Sequence, residues 1–359
     1  MENKWLNEAF KGEVPSDFQG KVGWASPSNI ALVKYWGKKG KQIPQNPSIS
    51  FTLSECRTET FIEYEKANRF GFSFFFEGKE NPVFGAKIEK FLKDNQAFFP
   101  FINQLHLKVE SRNSFPHSSG IASSASSMSA FVMCMLEIER LLVGPSTGSG
   151  TLIKASYFSR LASGSAARSV FPAMALWGKT QAYEGSSDEY AVSLSDDIHP
   201  VFKTFHDSIL IVSGETKSVS SRAGHALMEG NSYASARYAK ANENIKNLLS
   251  ALKSGDLDTF INITESEALQ LHALMMCSNP SFILMKPNTL SLINEIRAFR
   301  NETKIPLCFT LDAGPNVHLL YPESEAEKVD YFIKNNLAAY CVDNKWIADH
   351  VGDGPKKLL

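Results

Sequence analysis

FPHSSGIASSASSMSAF, residues 115–131, places seven serines around a single glycine and then runs into small and apolar residues. Two readings compete. Serine is a favoured N-cap, so the stretch can be a loop entering a capped core helix. It can also be an anion site, because a helix N-terminus leaves backbone N–H groups without partners at the positive end of the dipole, and small residues let a phosphate approach them. Taken alone the stretch favours the capped helix, since Ser-rich caps are common. Its context adds weight to the anion site: HLKVESRN, residues 106–113, alternates apolar and polar residues as a half-buried strand does, and strand, Ser/Gly loop, helix is the arrangement phosphate binding uses. The loop has no Walker lysine and no G-x-G-x-x-G, so neither common nucleotide fingerprint fits.

The chain has 359 residues, 43% hydrophobic and 21% charged, with a formal net charge of -1. That length carries two domains with cores of their own. The near-neutral balance leaves no electrostatic footprint for nucleic acid or an anionic membrane, so an anionic substrate must be caught by a local basic cluster. Cys56, Cys134, Cys277, Cys308 and Cys341 are odd in number and widely spaced, which argues for free thiols and against a disulfide framework or zinc site. With a charged N-terminal stretch and no apolar run of membrane-spanning length, the expectation is a cytoplasmic protein.

The pattern predicts an α/β (α+β) chain in two halves, 1–200 and 201–359. Strands are expected over 22–36 and 48–53 with the basic loop GKKGKQIPQNP between them, then in FIEYE and GFSFFFEGK. A helix is expected over 123–142, another over 151–162 after the loop PSTGSG, and the small-residue run ASGSAARSVF, 162–171, follows. DSILIVSG, 207–214, reads as the strand opening the second half, followed by helices over 221–252, 256–271 and 290–301. Two strands, 306–311 and 316–321, flank DAGPN.

Four stretches combine small residues with well-placed polar ones. ASPSNIALVKYWGKK offers Asn29, Lys34 and Lys38. A strand lysine is usually a solvated edge charge, but Lys34 stands among Leu32, Val33, Tyr35 and Trp36, company that calls for an anionic partner. The serine-rich loop is the second stretch. In SGSAARS, Arg168 presents a planar fork suited to a carboxylate or phosphate, against the alternative of a structural salt bridge. Asp312 sits where a strand meets a Gly-Pro turn, against the alternative of an Asx-turn acceptor.

ASPSNIALVKYWGKK, NSFPHSSGIASSAS, SGSAARSVF, KSVSSRAGH and TLDAGPNVHLLYP closely resemble, in order and spacing, the signatures of the diphosphomevalonate decarboxylase family of the GHMP kinase superfamily, over about residues 22–321. The KYWGK, GSAxRS and DAGPN elements set that family apart from the superfamily's ordinary kinases. The resemblance implies a two-domain GHMP kinase-like fold with the active cleft between the domains. It implies ATP as cosubstrate, Mg²⁺, and conversion of mevalonate 5-diphosphate to isopentenyl diphosphate, CO2, ADP and phosphate in isoprenoid biosynthesis. The serine-rich segment Ser118, Ser119, Gly120, Ile121, Ala122, Ser123 and Ser124 then becomes the phosphate loop, with Ser124 facing the ATP phosphates.

Carried over by position, Asp312 resembles the catalytic aspartate near the 3-hydroxyl, Arg168 the residue holding the substrate carboxylate, and Lys34 a positive neighbour of the site. Tyr35, Lys38, Ser165, Ser221 and Arg222 match positions contacting the substrate's diphosphate or carboxyl end, Asn29 a partner that orients the site, and Lys217 falls in a matching motif. Two departures touch these positions: His117-Ser118-Ser119 replaces a common Thr-Ala-Ala, and His225 replaces a frequent Met. The metal ligands stay unassigned. Alternatives are a phosphomevalonate decarboxylase, a mevalonate 3-kinase, or a catalytically silent ATP-binding regulator. The expected partners are the small-molecule substrate and ATP, with no nucleic acid or membrane, and a homodimer is the candidate assembly.

Overall fold

The computed structural model describes residues 9–116, 121–144, 150–215 and 219–359. Strand β1 (Gln19–Val33) lies antiparallel to the long β4 (Ser48–Lys66), and between them the chain makes the small hairpin β2 (Lys38–Lys39) and β3 (Ile43–Pro44). Next come β5 (Gly71–Phe76), β6 (Lys79–Glu80), helix α1 (Pro82–Asp94) and β7 (Leu105–Asn113), which pairs antiparallel with β4 and parallel with β5. Helices α2 (Ser123–Val143) and α3 (Gly150–Ala162) follow, then β8 (Met174–Trp177) and β9 (Ala191–Ser193).

The second half holds β10 (His206–Leu210), α4 (Ser221–Ala226), α5 (Ala234–Ser254), α6 (Leu257–Met276), α7 (Pro287–Thr303), β11 (Cys308–Leu311), β12 (Val317–Tyr321), α8 (Ala326–Phe332), β13 (Trp346–His350) and β14 (Lys356–Lys357). Two main sheets result. The first runs β14-β1-β4-β7-β5-β6 with β8 paired to β4 and β9 to β8, and the second is antiparallel in the order β11-β12-β10-β13. The fold is therefore mixed α/β.

Helix α2 is buried along most of its length because its residues are small or apolar on nearly every face; it packs on β1 and β4 beneath the first sheet. The core under it includes Val109, Phe131, Met135 and Phe158, and a second core of Leu210, Leu292, Phe309 and Leu319 lies in the other half. A third cluster joins the halves, with Leu32, Ile49 and Phe51 of the first sheet packed among Phe205, Ile245 and Phe260. Contacts of this kind fix the halves against each other and give the cleft between them rigid walls.

Three expectations need correction. The helix read over 221–252 is broken: α4 stops at Ala226 and α5 starts at Ala234, with Gly230 at positive φ between them, a conformation that favours glycine and ends helical pairing. The strand read over 207–214 ends at Leu210. The stretches read separately as 48–53 and FIEYE are one strand, β4, whose first part pairs with β8 and whose later part pairs with β7. Helix α1, whose side chain cap is Asn81 with Pro82 at the first turn, was not foreseen.

Candidate active site

The end of β1 builds one wall. The β1–β4 ladder shifts register between Pro27 and Asn29 and again between Ala31 and Val33, and such bulges re-aim side chains locally. Asn29 is thereby turned to donate from Nδ2 to Ser169 Oγ at 2.7 Å and to the Ser165 carbonyl at 3.2 Å. Its Oδ1 accepts from Arg168 Nη2 at 3.3 Å. Beyond the bulges Lys34 is buried, and its Nζ donates to the Ala31 carbonyl. Burial lowers the Lys34 ammonium to about 8, against the opposing pull of Asp312 and Glu267.

Arg168 is 2% exposed, at the end of a 3-10 turn made of small residues. Its Nε donates to Ser50 Oγ at 2.8 Å and its Nη1 to Ser48 Oγ at 2.6 Å, and its guanidinium lies 5.8 Å from the centre of the Trp177 ring. Ser48 and Ser50 can meet it together because residues two apart on β4 share a face. Every one of these partners is neutral. No described carboxylate forms an ion pair with Arg168, so the salt-bridge alternative has no partner among the described residues. Burial lowers its pKa to about 10, which leaves it charged at neutral pH.

Asp312 follows β11. Its carbonyl accepts from Gly314 N at 2.8 Å, tightening the DAGPN turn, and contacts His272 Nε2 at 3.1 Å. Its carboxylate is near enough to Lys34, Arg168 and His225 to oppose the lowering of each pKa by burial. A single cavity of about 590 Å³ joins these groups, and it is lined from one half by Asn29, Lys34, Tyr35, Lys38, Ser165 and Arg168, from the other by Ser221, Arg222, His225 and Asp312, and along the α2 entrance by Ile121, Ala122, Ser123 and Ser124. That volume suits a small molecule. Ser118, Ser119, Gly120 and Lys217, together with His117, lie outside the described residues.

The helix entrance shows how the described part of the serine-rich stretch is used. The N-cap of α2 is Ala122, in the left-handed region at φ 43°, and no side chain caps it. Ser124 instead lies in the first turn with its Oγ 3.4 Å from Ser163 Oγ. Ser123 and Ser124 therefore cap nothing at Ala122, and both line the cavity.

Toward the opposite mouth, Lys38 donates to Gln42 Oε1 at 3.2 Å, and its pKa is lowered by burial and then by Arg222. Neither cation forms an ion pair with a described residue. Burial pushes the Tyr35 phenol up, and its hydroxyl finds no partner among the described residues.

The sequence reading missed the residues that hold this arrangement. Glu267 on α6 is fully buried; its Oε2 accepts the Lys34 backbone N–H at 2.8 Å and also Arg237 Nη2, and its Oε1 accepts Asn244 Nδ2 at 2.6 Å. Asn46 Nδ2 donates to the Lys34 carbonyl at 3.1 Å. The apolar part of the cavity lining, Phe74, Phe76, Phe84, Met128 and Phe131, was also missed, although the phenylalanine cluster GFSFFF was its visible signal.

Comparison with known proteins agrees with this geometry. Residues 26–191 match the diphosphomevalonate decarboxylase-like N-terminal domain, and residues 208–357 the mevalonate 5-diphosphate decarboxylase C-terminal domain. The chain is 29% identical over 327 residues to diphosphomevalonate decarboxylase of Saccharomyces cerevisiae, covering 86% of this chain and 79% of that one. The structure of mevalonate diphosphate decarboxylase from Staphylococcus aureus superposes with a TM-score of 0.79 at 25% identity, over 95% of this chain and 99% of that chain. A structure of MDDEF in complex with MVAPP, AMPPCP and magnesium gives the same TM-score, identity and coverage. The chain belongs to the diphosphomevalonate decarboxylase family.

Proposed function

We propose that the cleft performs the ATP-dependent decarboxylation of mevalonate 5-diphosphate to isopentenyl diphosphate, CO2, ADP and phosphate. The observation that carries this reading is Arg168: a buried guanidinium held only by neutral partners, in the cavity that also holds Asp312 and the uncapped entrance of α2. A buried charge whose hydrogen-bond partners are all neutral is costly, and the cost is offset when an anionic ligand pairs with it directly.

The roles follow from position. Ile121, Ala122, Ser123 and Ser124, with Ser118, Ser119 and Gly120 before them in sequence, suit the ATP phosphates, and the phenylalanines of the lining suit a flat apolar ring such as adenine. Asp312 accepts the proton of the tertiary 3-hydroxyl as its oxygen takes the terminal phosphoryl group and ADP leaves. The new phosphate then departs with the C–O electron pair. The electrons of the bond to the carboxylate form the C=C bond, and CO2 is released. Positive charge developing at the tertiary carbon lies near the Asp312 carboxylate, while Arg168, fixed by Asn29, Ser48 and Ser50, holds the carboxylate in line. Lys34 adds positive charge beside it, and Tyr35, Lys38, Ser165, Ser221 and Arg222 suit the diphosphate and carboxyl ends.

Among the described residues no cluster of three His, Cys, Asp or Glu side chains forms a metal cage. Mg²⁺ keeps most of its coordination for the nucleotide's own phosphates and water, so the Ser123 and Ser124 hydroxyls fit as protein donors beside them. When bound, the ion neutralises charge on the phosphates.

We also place the domain boundary near residue 200 and read the protein as cytoplasmic, on its five free cysteines and near-neutral charge. No described helix is long and apolar enough to cross a membrane. Steady-state turnover on mevalonate 5-diphosphate and on mevalonate 5-phosphate tests the substrate. The Lys38 and Arg222 cluster predicts the larger kcat/KM for the diphosphate, and equal or better use of the monophosphate overturns that choice.

A further inference from the structure

His225 lies on α4 three residues after Arg222, so the two share a face of the helix. Its ring is fixed from several sides. Its centroid is 4.4 Å from that of Tyr35 and 4.6 Å from that of Trp36, and its Nδ1 accepts the Gly37 N–H at 2.9 Å. Gly37 has φ 94°, which turns its N–H toward α4, and a Cβ on Gly224 would stand 2.4 Å from the Trp36 ring, so the helix sits close against the turn after β1.

An Nδ1 that accepts a hydrogen bond carries no proton, so the neutral ring keeps its proton on Nε2. Burial first, and then Lys38, push the imidazole down to about 3, against the pull of Asp312, so the ring stays neutral at working pH. Nε2 makes no hydrogen bond to a described residue, and it is not among the buried atoms left without a partner, while the residue lines the cavity beside Lys38 and Arg222.

We propose that His225 is a substrate-positioning residue whose Nε2–H donates a hydrogen bond to a phosphoryl oxygen of the substrate's diphosphate. This rests on the reading of the cleft given under Proposed function. Lys38 and Arg222 supply attraction that acts over several ångströms, whereas the neutral imidazole, its tautomer set by the Gly37 backbone, supplies direction. A hydrogen bond to a charged oxygen is among the stronger kinds.

Three variants test it. His225→Met removes both ring nitrogens, His225→Gln restores a donor near the place of Nε2, and His225→Asn restores only an acceptor near the place of Nδ1. The expected result is a KM for mevalonate 5-diphosphate raised about tenfold or more in the Met and Asn variants, with kcat lowered less than KM rises and KM for ATP little changed, and recovery of most of the loss in the Gln variant. A Met variant with unchanged substrate KM, or recovery by Asn rather than Gln, reduces His225 to a packing or turn-holding residue and overturns the proposal. Calorimetric titration with inorganic pyrophosphate separates this from the reaction itself. Wild-type protein that binds pyrophosphate more tightly than the Met variant, yet turns over no mevalonate 5-diphosphate, keeps the donor and defeats the reaction; normal turnover with identical pyrophosphate affinities defeats the donor.

Discussion

Arg168 and Arg237 are both buried arginines near the end of β1, and they differ most in the charge of their partners. Arg237 pairs with the carboxylate of Glu267, which also grips the Lys34 backbone, so its charge is answered within the protein. Arg168 meets two serine hydroxyls and an asparagine amide oxygen, all neutral. The first arrangement is structural, tying α5 and α6 to the end of β1. The second keeps a charge positioned and leaves its counter-ion to be supplied by a ligand. Burial and residue type are the same in both; the charge of the partners separates scaffold from site.

The largest effect expected in the cleft is from Asp312→Asn, which keeps the turn's backbone bonds but removes negative charge and basicity. Its kcat should fall by about 10²–10⁴-fold with an unchanged melting temperature. A folded variant with near-normal kcat would leave Asp312 as a turn residue only.

The comparison of the arginines is broken most directly by exchanging their failures. Arg168→Lys keeps the charge and loses the fork, so decarboxylation should drop by about 10²-fold while the melting temperature moves little. Arg237→Met leaves Glu267 buried without its ion-pair partner and should lower stability by about 3–5 kcal/mol in chemical denaturation. If Arg168→Lys unfolds the protein and Arg237→Met does not, the assignment of site and scaffold is reversed.

How much of this was legible in the sequence varies with the kind of information each residue depends on. β7, the start of α2, and the two strands around DAGPN follow local patterning, and their expected bounds differ from the observed ones by at most two residues. The described candidates, from Asn29 to Asp312, line one cavity because their motifs lie at strand ends and helix starts that the fold brings together. Glu267, Asn46, Ser48 and Ser50 were illegible. Glu267, Ser48 and Ser50 work through partners far away in the chain and Asn46 across the turn after β1, and an acidic residue in TESEALQL reads as a solvated helix position until α5 is packed over it. The break after Ala226 was missed although Gly230, at positive φ between α4 and α5, is a visible breaker in the sequence.

A smaller effect sharpens the electrostatic side. Burial holds the Lys34 ammonium to about 8, so in the free enzyme its positive charge is lost as pH rises through that value. A plot of log kcat/KM against pH should bend downward near 8, and Lys34→Arg, which stays protonated, should move that limb to higher pH even if its maximum is lower. An identical limb in the variant would assign the titration elsewhere. The smallest effect belongs to Ser124→Ala. Its hydroxyl caps nothing in α2, so stability should change by less than the roughly 0.5–2 kcal/mol of a lost cap while KM for ATP rises. A stability loss with unchanged ATP kinetics would restore the capping reading.

The central claim is that one cleft couples phosphoryl transfer to loss of the carboxylate. Incubating the wild-type protein with ATP, Mg²⁺ and mevalonate 5-diphosphate, and quantifying ADP, phosphate and CO2 from the same reaction, tests it most directly. The three products are expected in equal amounts at every time point; ADP accumulating without CO2 identifies instead a kinase that stops at the 3-phosphate.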